Sequence, residues 1–127
     1  ERAWRFKHQF GGAMRQSGII AAACVHALEN HVERLAEDHE NARVLATALA
    51  QIPSVGANPN LIETNIQFID VSETGLGAKD IHERLLERGI RIGIFNPTTM
   101  RALTHLDVDR AGVEEAAAAL ADVVAAA

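Results

Sequence analysis

Between Ser17 and Ile52 apolar residues recur three and four positions apart, and beyond Pro53 and Pro59 that spacing gives way to short runs of two-residue alternation. A chain that changes period in this way must keep helices and strands in separate layers around a shared core. In the helical block, Ile20, Cys24, Ala27 and Leu28 share one face. Val32, Leu35, His39, Ala42, Ala46 and Leu49 continue the seam. Asn30, with Glu33 three residues on, has the form of a capping box, so the block is expected to be two helices or one kinked helix joined there. Pro53 and Pro59 end it and open an irregular loop over 54–63.

The second half alternates. Thr64 to Val71 is rich in β-formers and predicts a strand, and Ser72 to Gly77 a turn. Ala78 to Arg88 predicts a helix with Ile81 and Leu85 inward and Gly89 in the left-handed position that closes it. Ile90 to Phe95 sets Ile90, Ile92 and Ile94 against Arg91, Gly93 and Phe95, as in a half-buried strand, and a further strand is expected over 100–106. Asp109 can cap a last helix whose core face is Val113, Ala116, Ala117, Leu120, Val123 and Val124. The fold class is therefore α/β: a small two-layer sandwich in which a short, mostly antiparallel three-stranded sheet is covered on one face by helices.

At 127 residues the chain is the size of one domain, large enough for a core but short for a complete cofactor-dependent enzyme. A net charge of −5 and no basic patch interleaved with aromatics argue against nucleic acid as a partner. No apolar run reaches the roughly 18 residues of a membrane span, and the single Cys24 leaves no internal disulfide, which fits a cytoplasmic setting. The opening Glu1-Arg2-Ala3-Trp4 lacks an initiator Met and is unlike a targeting segment, so the chain reads as cut from something longer.

Chemistry is expected first at the strand 100–106. Period two puts Arg101, Leu103 and His105 on one face and Met100, Ala102, Thr104 and Leu106 on the other. Arg101 stands just after the loop Asn96-Pro97-Thr98-Thr99, and its fixed charge and planar fork suit a carboxylate or phosphate. A strand-end arginine in water, or in a structural ion pair, is the plain alternative.

A second candidate region is the N-terminal segment, where Trp4, Phe6 and Phe10 lie among Arg2, Arg5, Lys7 and His8, followed by Gly11-Gly12 and Arg15. The glycines free the backbone, and a helix start beside Arg15 could hold an anion, although a simple turn into a helix explains the same residues. No phosphate-loop or dinucleotide motif occurs. His26, His31 and His39 show no metal-ligand spacing, so no metal site is expected, and His39 falls on the apolar seam as a core histidine would. Cys24 is expected to be a small buried hydrophobe, and Glu33, Arg34, Glu37, Asp38 and Glu40 a solvated helix face. No nucleophilic triad is visible.

The runs R-F-K-H-Q-F-G-G-A-M-R-Q-S-G-I-I-A-A-A, L-A-E-D-H-E-N-A-R, T-N-I-Q-F-I-D-V and R-A-L-T-H-L-D-V, in that order, resemble the C-terminal part of the threonine aldolase family, grouped with the aromatic β-eliminating lyases. The resemblance implies the aspartate-aminotransferase fold (fold type I), with residues 1–16 a connecting segment from a missing large cofactor domain and 17–127 the small C-terminal α/β domain. It implies pyridoxal 5'-phosphate as cofactor of the full-length protein, and cleavage of a β-hydroxy-α-amino acid to glycine and an aldehyde. In that family the arginine of the R-x-x-T-H block holds the substrate carboxylate, the place that Arg101 occupies. The segment with Lys7, His8 and Arg15 is implied to lie near the cofactor phosphate or a subunit contact.

Other parts of the family pattern are missing. The lysine that carries the cofactor would precede Glu1, and neither Lys7 nor Lys79 matches its position; Ala13 also replaces a third glycine. The chain alone is therefore expected to be inactive. Its partners would be the missing N-terminal domain, a further subunit in a homo-oligomer, and a small-molecule substrate. Trp4, Phe6, Phe10 and Met14 are the candidates for a chain-to-chain contact. A free-standing ligand-binding or protein-interaction module is the competing reading of the pattern.

Overall fold

The structure, a computed structural model, describes residues 1–127 and divides into two compact units, Glu1–Arg34 and Leu35–Ala127. The first unit holds α1 (Arg2–Gln9) and α2 (Gly18–Asn30). Helix α1 was not foreseen in the sequence. Its i, i+4 ring pairs, Trp4 with His8 and Phe6 with Phe10, are the signal that was available. Gly11, at φ +84°, turns the chain away, and the Gly12 amide donates to the Lys7 carbonyl at 2.8 Å. A Cβ on Gly12 would meet Lys7 Cγ at 2.7 Å, so the Gly-Gly pair closes α1 and does not simply open α2.

Two expectations fail in this unit. Cys24 is exposed, and no residue of α2 is buried, because the unit has no second layer to receive the Ile20–Leu28 face. Asn30 is the last residue of α2 and not the cap of the next helix: its side-chain amide donates to the His26 carbonyl at 2.8 Å. The join itself does fall there, and α3 begins at Leu35.

The second unit is the expected α/β sandwich. Helix α3 (Leu35–Leu49) leads through a short 3-10 turn to strand β1 (Ile66–Asp70), then α4 (Ala78–Leu86), β2 (Gly93–Asn96), β3 (Thr99–Leu103) and α5 (Arg110–Ala125). The sheet order is β1-β3-β2, antiparallel throughout, with β3 central. One sheet face turns Ile69 and Met100 into a core with Leu45, Leu49, Ile81, Leu85, Val113 and Leu120 from the helices. Burying a side chain of this size stabilises the unit by about 1.5–3 kcal/mol. Gly89 adopts φ +78° at the end of α4, and Asp109 Oδ1 accepts from the Gly112 amide at 2.8 Å to start α5, both as the sequence predicts.

The core face of α3 keeps Ala42, Ala46 and Leu49, as expected, but is shifted towards Asp38, Asn41 and Leu45. Val32 and Leu35 are exposed and His39 is half-buried, whereas Asp38, Asn41 and Leu45 are buried. Polar ties explain the shift. Thr104 Oγ1 donates to the Asp38 carbonyl at 2.6 Å, and Asn41 Nδ2 to the Val108 carbonyl at 3.3 Å, drawing that side of the helix onto the end of β3. Asp38 thus leaves the solvated face on which the sequence placed it. Strand β2 is shorter than predicted and lies at the sheet edge, so Ile92 is buried but Ile94 is not.

Candidate functional site

The face of the sheet turned away from the helices is open. On β3 it presents Arg101 and Leu103, on β1 Ile66 and Phe68, and on β2 Gly93 and Phe95, all exposed. Register places Phe68 directly across from Arg101 on one side and Gly93 directly across on the other. A β-bulge between Ile94 and Asn96 sets Phe95 next to the hairpin, and its ring meets that of Phe68 edge-on with centroids 4.9 Å apart. The two aromatics therefore bridge the central strand beside Arg101.

The Arg101 side chain makes no hydrogen bond or ion pair within the chain. Three other arginines of this unit do pair, Arg88 with Asp122 at 3.0 Å and Arg43 and Arg110 with Glu40 at 3.8 Å each, whereas Arg84 and Arg91, like Arg101, do not. What sets Arg101 apart is its place, a fixed positive charge at the centre of an apolar sheet face. The structural ion pair that the sequence left open for it is not formed.

The strand that carries Arg101 is fixed at both ends. Before it, Asn96 Oδ1 accepts from the Thr98 amide at 2.9 Å. The Thr98 carbonyl accepts from the Val71 amide and the Pro97 carbonyl from the Ala78 amide, each at 2.9 Å, which pins the hairpin turn to the end of β1 and the start of α4. After it, Thr104 pairs with Asn65 through backbone and side chain at 3.1 and 2.7 Å as well as with Asp38. On the edge strand, His82 Nδ1 donates to the Ile92 carbonyl at 2.6 Å; the carbonyl can only accept, so Nδ1 carries the proton. Asn65, Thr104 and His82 were not singled out in the sequence, since their partners lie ten or more residues away.

At the end of β1, Asp70 Oδ1 accepts from the Ser72 amide at 2.9 Å, and that bond holds the exposed Asp70 carboxyl below its ordinary value of 3.8. Beyond β1, Gly56 exchanges both backbone hydrogen bonds with Asp70 at 2.8 and 2.9 Å. A Cβ on Gly56 would come within 2.8 Å of Asp70 Cβ, so the close approach requires glycine.

The remaining predicted site residues lie in the first unit. Lys7 Nζ stands 4.1 Å above the Trp4 ring, which His8 also flanks with centroids 5.3 Å apart. Lys7 and His8 thus meet at Trp4. Arg15 is exposed, and none of the three has a carboxylate partner.

The sequence profile of the beta-eliminating lyase family matches residues 1–74. The chain belongs to the beta-eliminating lyase family. Among its relatives, the low specificity L-threonine aldolase of Escherichia coli (strain K12) is 41% identical over 118 residues, 93% of this chain and 33% of the relative. Low-specificity L-threonine aldolase 1 of Arabidopsis thaliana is 32% identical over 114 residues, 89% of this chain and 32% of the relative. The resemblance read from the sequence is borne out by these relatives. The chain spans about a third of the length of the curated relatives it matches. Among solved structures, the cystine C-S lyase C-DES in complex with its reaction product cysteine persulfide superposes with a TM-score of 0.64 at 25% identity, over 84% of this chain and 28% of that one. The K223A mutant of C-DES with glycine covalently linked to the PLP cofactor gives 0.63 at the same identity and coverage. This beta-eliminating lyase chain thus has the α/β architecture of PLP enzymes of fold type I.

Proposed function

We propose that the chain is the small-domain part of a pyridoxal-phosphate-dependent aldolase that cleaves a threonine-like β-hydroxy-α-amino acid to glycine and an aldehyde, in the cytoplasm and as a homo-oligomer. The observation that carries this is Arg101, unpaired and central on the open sheet face, in a chain related to L-threonine aldolases over 93% of its length. In this reading a large domain outside the 127 residues supplies the lysine that attaches the cofactor.

The donor set fits the cofactor. Lys7, His8 and Arg15 carry donors not neutralised by any carboxylate, as a phosphate requires, and are assigned to its vicinity or to the subunit contact. Pyridoxal phosphate, when bound, supplies the electron sink for breaking the bond between the α and β carbons. Arg101 donates to both oxygens of the α-carboxylate in a bidentate pair and so fixes the substrate's orientation about its α carbon. Ile66, Phe68, Phe95 and Leu103 give the pair an apolar surround on the same sheet face. Neither Lys7, on Trp4, nor Lys79, 3.7 Å from Glu83, is assigned the attachment role.

Arg101→Lys in the full-length enzyme is the test. An ammonium cannot reproduce the two-pronged contact, so the Michaelis constant should rise and kcat/KM fall by on the order of 2 kcal/mol. Unchanged kinetics would return Arg101 to a surface role. In parallel, the purified 127-residue chain supplied with the cofactor should release no aldehyde from threonine above a heat-killed control.

A further inference from the structure

A groove of about 710 Å³ runs between the end of α3 and the length of α5, and small side chains make most of its walls. Ala48 near the end of α3 and Ile52 just after it form one side; Ala117, Ala118, Ala121 and Ala125 of α5 form the other. Glu114 is its one charged lining residue, and no lysine, arginine or histidine lines it. The groove also reaches the C-terminal ends of both helices, where the backbone carries partial negative charge. It is therefore an apolar, electronegative trough, and its small side chains let another helix approach closely.

Helix α1 has the opposite character. Phe6 and Phe10, four residues apart, stack with centroids 6.3 Å apart, and both are exposed, so they form one apolar ridge. Arg2, four residues before Phe6, heads the same ridge, and Arg5 flanks it. No acidic residue lies within Arg2–Gln9, and neither Arg2 nor Arg5 has a carboxylate partner in the chain. Lengths agree as well. The eight residues of α1 extend about 12 Å, and the stretch 114–125 along α5 about 16 Å.

We infer that α1 of one copy of the chain lies in the α3–α5 groove of a second copy, with Phe6 and Phe10 seated among the alanines and Arg2 and Arg5 beside Glu114. This is the mode in which an amphipathic helix lays its apolar side into a groove. Large side chains meet small ones, and cations meet a carboxylate and two helix ends of negative sign. Helix α2, the other uncovered apolar element, fits less well, for it carries no lysine or arginine to meet Glu114. Every copy presents both surfaces, so two such contacts made reciprocally close a dimer. The inference rests on the proposed homo-oligomer, to which it gives a contact, and on neither Arg101 nor the aldolase reaction.

The test is sedimentation equilibrium of the 127-residue chain and two charge-reversed variants, with far-UV dichroism and thermal unfolding recorded on each. Arg2→Glu with Arg5→Glu reverses the ridge, and Glu114→Lys with Ala118→Lys reverses the groove. All four positions are exposed, so neither change opens a cavity. Each variant alone sets like charges against each other and should associate about tenfold or more weakly than the parent, with its unfolding temperature unchanged. Mixed in equal amounts, the two restore opposite charges at both contacts, and association should return to the parent's level. A loss of fold could not give that recovery. If the groove variant does not fold, Ala118→Lys alone takes its place. A groove variant that associates as the parent does would show α1 covering its own counterpart, and two weakened variants that fail to recover on mixing would show that ridge and groove do not meet; either overturns the inference alone. A parent chain that stays monomeric at high concentration removes the self-association and this inference with it.

Discussion

Gln67 is 2% exposed on the core side of β1, and neither its amide nitrogen nor its amide oxygen has a partner. A buried amide left unpaired costs about 1–3 kcal/mol for each group, whereas a thioether of similar shape has no such requirement. Gln67→Met should accordingly raise unfolding stability by roughly 1–3 kcal/mol, read as a higher urea midpoint at unchanged slope. A lower midpoint would mean that the amide is satisfied in solution. Asp70 acts in the opposite sense. Its carboxyl is held below 3.8 by the Ser72 amide, so the folded chain takes up that proton less readily than the unfolded one. The stabilisation is thus present above about pH 4 and is lost as the pH falls through the lowered value. Asp70→Asn keeps the hydrogen bond but removes the titration, and acid unfolding curves should be flatter below about pH 4 for the variant than for the parent. Identical curves would show that the Ser72 contact does not persist in solution.

At the scale of elements, what was legible in the sequence is what depends on near neighbours. The α4 face of Ile81 and Leu85, the Gly89 closure, the Asp109 cap and the faces of β3 from Met100 to Leu103 are all set by spacings within a few residues, and the structure shows each of them; the strand stops at Leu103, so His105 and Leu106 leave the faces expected for them and Leu106 is exposed. The position of Arg101 on the open face was readable for the same reason. That Phe68 and Gly93 flank it was not, because register couples residues 33 and 8 positions away and is settled by the packing of the whole sheet. Thr104 shows the same limit. Period two gave its inward direction, but not that its hydroxyl would join β3 to the Asp38 carbonyl of α3. Thr104→Val keeps the shape and removes that hydrogen bond, while the Asp38 carbonyl keeps its partner within the helix, so it should cost about 0.5–1.5 kcal/mol of unfolding free energy. Amide hydrogen exchange should quicken most at β3 and the first turn of α3. Exchange that rises evenly along the chain would show that the contact is not a local tie.

For the whole molecule, the first unit poses the question that its sequence raised. Helix α2 is mostly apolar yet buries nothing, and Trp4, Phe6, Phe10 and Met14 are between 48% and 84% exposed on and just after α1. An apolar helix face of this extent is stable in water only when something covers it. The sequence pattern correctly marked these side chains as lying outside the core that Leu35–Ala127 forms for itself. It erred on Cys24 and the Ile20–Leu28 face, since periodicity tells which side of a helix is apolar and not whether a covering layer exists. The 127-residue chain should therefore self-associate through this segment, the apolar side chains of one copy covering those of another. Trp4 and Phe10 are the places to intervene. They are 63% and 84% exposed, so exchanging them for serine removes apolar surface without opening a cavity. In sedimentation, Trp4→Ser with Phe10→Ser should move the chain towards monomer while its far-UV dichroism and unfolding midpoint stay near those of the parent. A parent chain that sediments as a monomer at high concentration would show that these aromatics find their cover within one copy, and the self-association would then have to be abandoned.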